Sequence, residues 1–264
     1  MSSEPLPGIA GKHAVVTGGA RGIGRGIASL LAARGARVSV VSRSAAPDGG
    51  GDFFCAQADV GVEAQVAQAF AAARTARGPI DILVNNSGIA QSAPLTRTSL
   101  EMWDRIVATN LTGTFLCARA AAPDMLAAKW GRIVNVASIA GLDGAPYISA
   151  YCASKHGVVG FTRAIAAEFA GTGVTANVVC PGYTDTDMMR QAMVNISKVT
   201  GAGEDAARAH LAQSNPEGRI ATVEEVARGV LDLVTGTHNG VALVIPGFYT
   251  LTAAEATVSD RERS

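Results

Sequence analysis

The chain has 264 residues, 48% of them apolar and 17% charged, and its 22 basic and 22 acidic side chains cancel. That length can bury a substantial core, and the balanced charge excludes a field that would draw the protein to nucleic acid or a membrane surface. MSSEPLPGIAGKH lacks a basic segment leading into a long apolar run, and no later stretch reaches about 18 uninterrupted apolar residues, so a soluble, cytoplasmic protein with a small-molecule ligand is expected.

In chain order, HAVVTG (13–18) is a buried strand, IGRGIASLLAARGA a helix closed by Gly35, and RVSVVSR a second strand. SAAPDGGGD (44–52) follows, where Pro47 and Gly49–Gly51 disfavour a helix, so this crossover is expected to be a loop or a single turn. FFCAQADV comes next, then a helix near 63–77, the strand IDILVNN, a long helix near 100–128 and the strand GRIVNVAS. A helix carrying YCASK, the strand VTANVVCPG, a polar helical stretch over 185–235 and a last strand VALVIPG complete the pattern. Continuous apolar strands separated by crossover helices predict a Rossmann-like, doubly wound α/β fold, a parallel sheet with helices on both faces. No interior linker divides it, so one domain over 1–264 is expected, with a core at about 9–248 and flexible tails. The cysteines at 55, 117, 152 and 180 have no CxxC spacing and are expected to be reduced packing residues. The four scattered histidines lack zinc-site spacing, so no metal is expected.

TGGARGIG (17–24) joins the first strand to the first helix. Its glycines permit tight turns and let main-chain N–H groups and a helix N-terminus approach a pyrophosphate. Its spacing departs from GxGxxG. In YCASK, Tyr151 and Lys155 stand at i and i+4, on one face of a helix.

From Gly11 to about Gly247 the chain resembles the short-chain dehydrogenase/reductase family. The motifs carrying the resemblance are TGGARGIG, Asp59 in ADV, NNSG (85–88), Asn110 in TNLTG, Ser138 in NVAS, YCASK and PGYTDT (181–186), in that order. Ser87 stands where the family usually has alanine, and IPGF at 245–248 replaces the common Asp-Gly-Gly. The resemblance implies a nicotinamide-dependent oxidoreductase of ketones and secondary alcohols, with a catalytic tetrad of Asn110, Ser138, Tyr151 and Lys155. It also implies cofactor contacts from Thr17, Gly18, Arg21, Gly22, Ile23, Gly24, Ser42, Arg43, Asp59, Val60, Asn86, Gly88, Tyr151, Lys155, Pro181, Gly182, Thr184 and Thr186. Substrate contacts fall on Leu142, Ala145, Tyr147 and Tyr183, under a Met-containing lid over 187–201.

The chemistry suits these residue types. A ketone accepting hydride develops charge on its oxygen, which Ser138 can meet with a hydrogen bond and Tyr151 with a proton. A free phenol has a pKa of about 10, and a neighbouring ammonium, Lys155, is expected to lower it. Asn110 is expected to anchor a water that refills the proton. Arg43 at the end of the second strand, with Arg21 nearby, favours the 2′-phosphate of NADP(H), with NAD(H) the alternative. SKHGVVGFTRAIAAEFAGTGV is similar to ketoreductases of β-ketoacyl thioesters and polyketides, whereas the short loop after the second strand and TDTDM are similar to dehydrogenases of cyclic dihydrodiols. A non-catalytic NADP-binding sensor or scaffold is the alternative of another class. The long Ala-rich helices suit pairing between subunits, and the resemblance implies a homotetramer.

Overall fold

The computed structural model describes residues 8–44, 52–201, 203–247 and 249–251. The crossover residues 45–51 and the polar C-terminal tail lie outside the described residues, as does Phe248 of IPGF.

Seven strands run parallel: β1 (His13–Thr17), β2 (Arg37–Ser42), β3 (Phe53–Gln57), β4 (Ile82–Asn85), β5 (Gly131–Val136), β6 (Val174–Pro181) and β7 (Ala242–Ile245). Their order across the sheet is β3-β2-β1-β4-β5-β6-β7. A short strand absent from the sequence-based expectation, β8 (Tyr249–Leu251), pairs antiparallel with β7. The inner strands are buried along their length because helices cover both faces. On one face α1 (Gly22–Ala33) and α8 (Val223–Thr235) close a core around Val16, Ile27, Val84, Val134 and Val230. On the other, α2 (Glu63–Arg77), α4 (Gly113–Ala128) and α5 (Ser149–Glu168) cover Val15, Phe70, Leu83, Ile133 and Ala176.

Three expectations need correcting. The helix over 100–128 is α3 (Leu100–Val107) and α4 joined through a wider π turn, Ala108–Thr112, which contains Asn110. The stretch over 185–235 is three helices, α6 (Asp187–Thr200), α7 (Glu204–Gln213) and α8. Gly201, left-handed at φ +73°, ends α6, and the turn around Asn215 and Gly218 separates α7 from α8. Cys55 is exposed, not packed, because β3 is the outer and least covered strand; Cys117, Cys152 and Cys180 are buried.

Candidate active site

The sheet order reverses between β1 and β4, and the loops leaving the carboxyl ends of those two strands flank one crevice. Gly18 (φ +65°) and Gly22 (φ +54°) turn the first loop through left-handed conformations that favour glycine. A Cβ on Gly24 would fall 2.4 Å from the Gly18 carbonyl oxygen, so the loop closes this tightly only without side chains. NNSG is stapled onto it. The N–H groups of Asn86 and Ser87 both donate to Thr17 Oγ1 at 3.0 Å, and Asn86 Nδ2 donates to the carbonyls of Thr17 (3.0 Å) and Gly18 (3.3 Å). Ser87 thus contributes its backbone to the staple.

At the α1 N-terminus Arg21 makes no side-chain cap bond and the first turn holds no carboxylate. The N–H groups there stay open to an anion, which fits the pyrophosphate of a dinucleotide. Ile23 packs inward against the core. Arg21 is 79% exposed in its side chain and leans toward Asp187 of α6 at 3.9 Å, so its charge faces that helix. Ser42 is buried with its hydroxyl on Ser44 O, while Arg43 is exposed at the end of β2 and its carbonyl is held by Gln57 Nε2 at 2.8 Å. Asp59 Oδ1 accepts from Gly61 N at 2.9 Å, and Val60 is buried against Gly113.

The four residues of the expected tetrad come from three elements and meet at the rim. Ser138 follows β5 and opens a single 3₁₀ turn, its Oγ accepting from Ala140 N at 3.2 Å. Tyr151 and Lys155 stand one turn apart near the start of α5, with Lys155 Nζ 5.7 Å from the phenol ring centre. Lys155 is only 4% exposed and donates to the Val136 carbonyl at 2.9 Å. The π turn brings Asn110 inward to 1% exposure, where Oδ1 accepts from Ile89 N (2.9 Å) and Nδ2 donates to Ile89 O and Ser154 Oγ (both 3.0 Å). A Cβ on Gly88 would sit 3.5 Å from both Asn110 Oδ1 and Lys155 Nζ, so the two share one gap.

Burial dominates the electrostatics. It pushes the Tyr151 phenol up to about 12, with a hydrogen bond to Ser138 pulling the other way, and it draws Lys155 down to about 8. The shift is thus upward, opposite to the expected lowering by the ammonium neighbour, and the group that lowers the phenol is Ser138. Tyr183, half-buried and raised by desolvation, stands close enough to add its own upward push on Tyr151. Cys180 beside Lys155 is also pushed up to about 12, which leaves it an unreactive thiol at neutral pH.

PGYTDT leaves β6 under the control of Asn215, a residue no motif singled out. Its Oδ1 accepts from Tyr183 N at 2.7 Å, and its Nδ2 donates to the carbonyls of Tyr183 (2.9 Å) and Arg219 (2.6 Å). Gly182 packs so closely that a Cβ would lie 2.2 Å from Asn215 Oδ1. Pro181 ends the buried strand, Thr184 is buried with its hydroxyl on Gly182 O, and Thr186 caps α6 while its methyl faces Gly22. Of the expected substrate contacts, Leu142 packs against the core under α5, Ala145 is exposed, and Tyr147 is exposed in a left-handed conformation (φ +67°) with its carbonyl accepting from Ala93 N. Among the described residues no cluster could hold a metal ion, and no helix is long and apolar enough to cross a membrane.

Comparison with known proteins agrees with this geometry. Residues 12–196 match the short chain dehydrogenase family. A D-beta-hydroxybutyrate dehydrogenase of Rhizobium meliloti (strain 1021) is 36% identical over 86% of this chain and 95% of the relative. A 3-oxoacyl-[acyl-carrier-protein] reductase of Synechocystis is 41% identical over 69% of this chain and 78% of the relative. An actinorhodin polyketide ketoreductase variant solved with NADPH superposes with a TM-score of 0.82 at 33% identity, covering 89% of this chain and 95% of that one. With those motifs, that crevice and that match in hand, the chain belongs to the short-chain dehydrogenase family and is an oxidoreductase of hydroxy and keto compounds that binds a nicotinamide cofactor.

Proposed function

We propose that the protein is a cytoplasmic, one-domain, NADP(H)-dependent ketoreductase that converts a β-keto compound to its secondary alcohol, with Tyr151 as general acid. The observation that carries this reading is the convergence of Ser138, Tyr151 and Lys155 beside the glycine turn. Two of the relatives described above are named for substrates with oxygen on the third carbon, which supports the β-keto position. Bound in the crevice, the reduced nicotinamide would supply the hydride.

The chain's own residues do the rest. Ser138 Oγ accepts from Ala140 N–H while its hydroxyl bonds to the Tyr151 phenol, and on substrate binding that proton would swing to the substrate oxygen. Held up at about 12, the phenol is fully protonated at neutral pH and delivers its proton as the oxygen becomes an alkoxide. The resulting phenolate is met by the Ser138 hydroxyl and the Lys155 ammonium. Lys155, drawn down to about 8, can pass a proton on toward the phenolate, and a water in the gap it shares with Asn110 Oδ1 would refill it from outside. Since the Asn110 amide nitrogen is already committed to Ile89 and Ser154, only its oxygen has capacity for that water. Asp59 would accept from the adenine amine, and the Thr184 backbone and Thr186 hydroxyl would meet the nicotinamide amide. Exposed Arg43 at the end of β2 supports the 2′-phosphate, and the outward small residues Ala153, Gly160, Ala164 and Ala167 of α5, beside the Phe115–Phe161 edge contact at 6.2 Å, support a homotetramer.

The test is NADPH consumption with a panel of ketones, comparing the natural chain with Tyr151→Phe. The variant is expected to keep its NADPH affinity and lose kcat by about 10²–10⁴-fold. Turnover that persists undiminished would remove Tyr151 as the acid.

A further inference from the structure

Ser154 stands one residue before Lys155 on α5 and is 1% exposed, hidden from the crevice. Its hydroxyl makes two bonds. It donates to the Tyr151 carbonyl at 2.7 Å and accepts from Asn110 Nδ2 at 3.0 Å, across 44 positions of sequence. The first bond alone is an ordinary habit of helical serines, which turn back to a carbonyl about one turn earlier. The second fixes a direction. An amide nitrogen only donates, so the single hydroxyl proton goes to Tyr151 and Oγ is an acceptor toward Asn110. Helix geometry also gives the Tyr151 carbonyl the N–H of Lys155, so one oxygen ties the turn bearing phenol and ammonium to the π turn bearing Asn110.

Both protons of Asn110 Nδ2 are thereby placed, one on the Ile89 carbonyl and one on Ser154 Oγ. Oδ1 is left on the side of Ile89 N and of the gap shared with Lys155 Nζ. Ile89 holds the amide to the segment after β4, and Ser154 holds it to α5.

Resting on the proton path proposed above, we infer that Ser154 is a positioning residue for proton refill: it keeps Asn110 in register with Tyr151 and Lys155, so that a water on Oδ1 stays within reach of the ammonium. Removing the hydroxyl strands an amide N–H at a position 1% exposed, and an unpaired buried donor shifts until it finds an acceptor. The shift carries Oδ1 with it.

The test is steady-state reduction of a ketone that the natural chain turns over, with kcat expressed per NADPH-binding site counted by calorimetry, so that unfolded protein does not enter. Ser154→Ala is expected to lower kcat about 10-fold, the equivalent of one net hydrogen bond, with both KM values unchanged. The ratio of kcat in H2O to kcat in D2O is expected to grow, because proton refill becomes rate-limiting. Ser154→Cys, which fills the same space with a weak acceptor, is expected to behave as the alanine variant does. On an Asn110→Ala background, Ser154→Ala is expected to cost nothing further, since it acts through that amide. A natural kcat in Ser154→Ala, full kcat in Ser154→Cys, or the same loss repeated on the Asn110→Ala background would overturn the inference. If Asn110→Ala itself keeps the natural kcat and isotope ratio while Tyr151→Phe does not, the refill path falls, and the role of Ser154 with it.

Discussion

Lys155 carries its charge inside the protein, and the cost of that charge can be measured. Its pKa is drawn from 10.5 down to about 8, so between those values the folded chain has released a proton that the unfolded chain still holds. Stability therefore rises with pH across that window, and the penalty is fully present below it. Lys155→Met removes the buried charge at the loss of one bond to the Val136 carbonyl. At about pH 7 the variant, without added nucleotide, is expected to be more stable than the natural protein by about 1–3 kcal/mol, in a urea titration. The gap should shrink as pH approaches about 10, above which Tyr151, raised from 10.0 to about 12, begins to cost stability in both proteins. A gap that stays constant with pH would mean that the ammonium is not desolvated. The pairing of 151 with 155 is legible in the sequence because helical spacing alone puts them on one face. The direction of their pKa shifts is not, because burial depends on segments distant in sequence, such as β5, whose Val136 carbonyl receives the Lys155 ammonium.

At the scale of elements, the segment leaving β6 depends on one amide. Asn215 is 4% exposed and satisfies both backbone groups of Tyr183 from 32 residues away, together with the Arg219 carbonyl. Asn215→Ala removes three bonds and strands two backbone groups, Tyr183 N and the Arg219 carbonyl, the Tyr183 carbonyl keeping Ala221 N, with an expected loss of about 2–4 kcal/mol in the urea midpoint analysis. The same loop carries Thr184 and Thr186, so calorimetry is expected to show NADPH affinity falling about 10-fold, with Tyr151 chemistry intact once cofactor saturates. Unchanged affinity would mean that the loop holds its shape without the clamp. Six of the seven parallel strands were legible as Val- and Ile-rich runs, because strands covered on both faces need no polar alternation; β3, FFCAQ at the outer edge, is the exception. The breaks were harder to see. A side chain tied to a backbone 32 positions away, or a π turn that rotates Asn110 inward within an otherwise regular helix, leaves no periodic trace. The short β8 escaped for a related reason, since three residues after a Pro-Gly turn acquire strand character from the β7 edge beside them.

For the whole molecule, the consequence of the topology is that one ligand bridges two halves of the sheet. β3, β2 and β1 lie on one side of the reversal and β4 to β7 on the other, and the bonds from Asn86 and Ser87 to Thr17 join them at the crevice. A dinucleotide lying across that line would restrain both halves at once, so its binding should raise the stability of the entire fold. At 100 times its dissociation constant the gain is about 2.7 kcal/mol. For a chain of this size that corresponds to a Tm increase of roughly 5–10 °C, readable by scanning calorimetry without any substrate. If Arg43 meets a 2′-phosphate, NADPH raises Tm further than NADH at the same concentration, and the difference contracts at high salt because Arg43 is exposed. Arg43→Glu should reverse the order, since a carboxylate at the end of β2 repels the phosphate and accepts from a free ribose hydroxyl. A natural protein stabilised more by NADH, or a variant that keeps the original order, would take cofactor choice away from Arg43 and place it among groups the glycine turn itself provides.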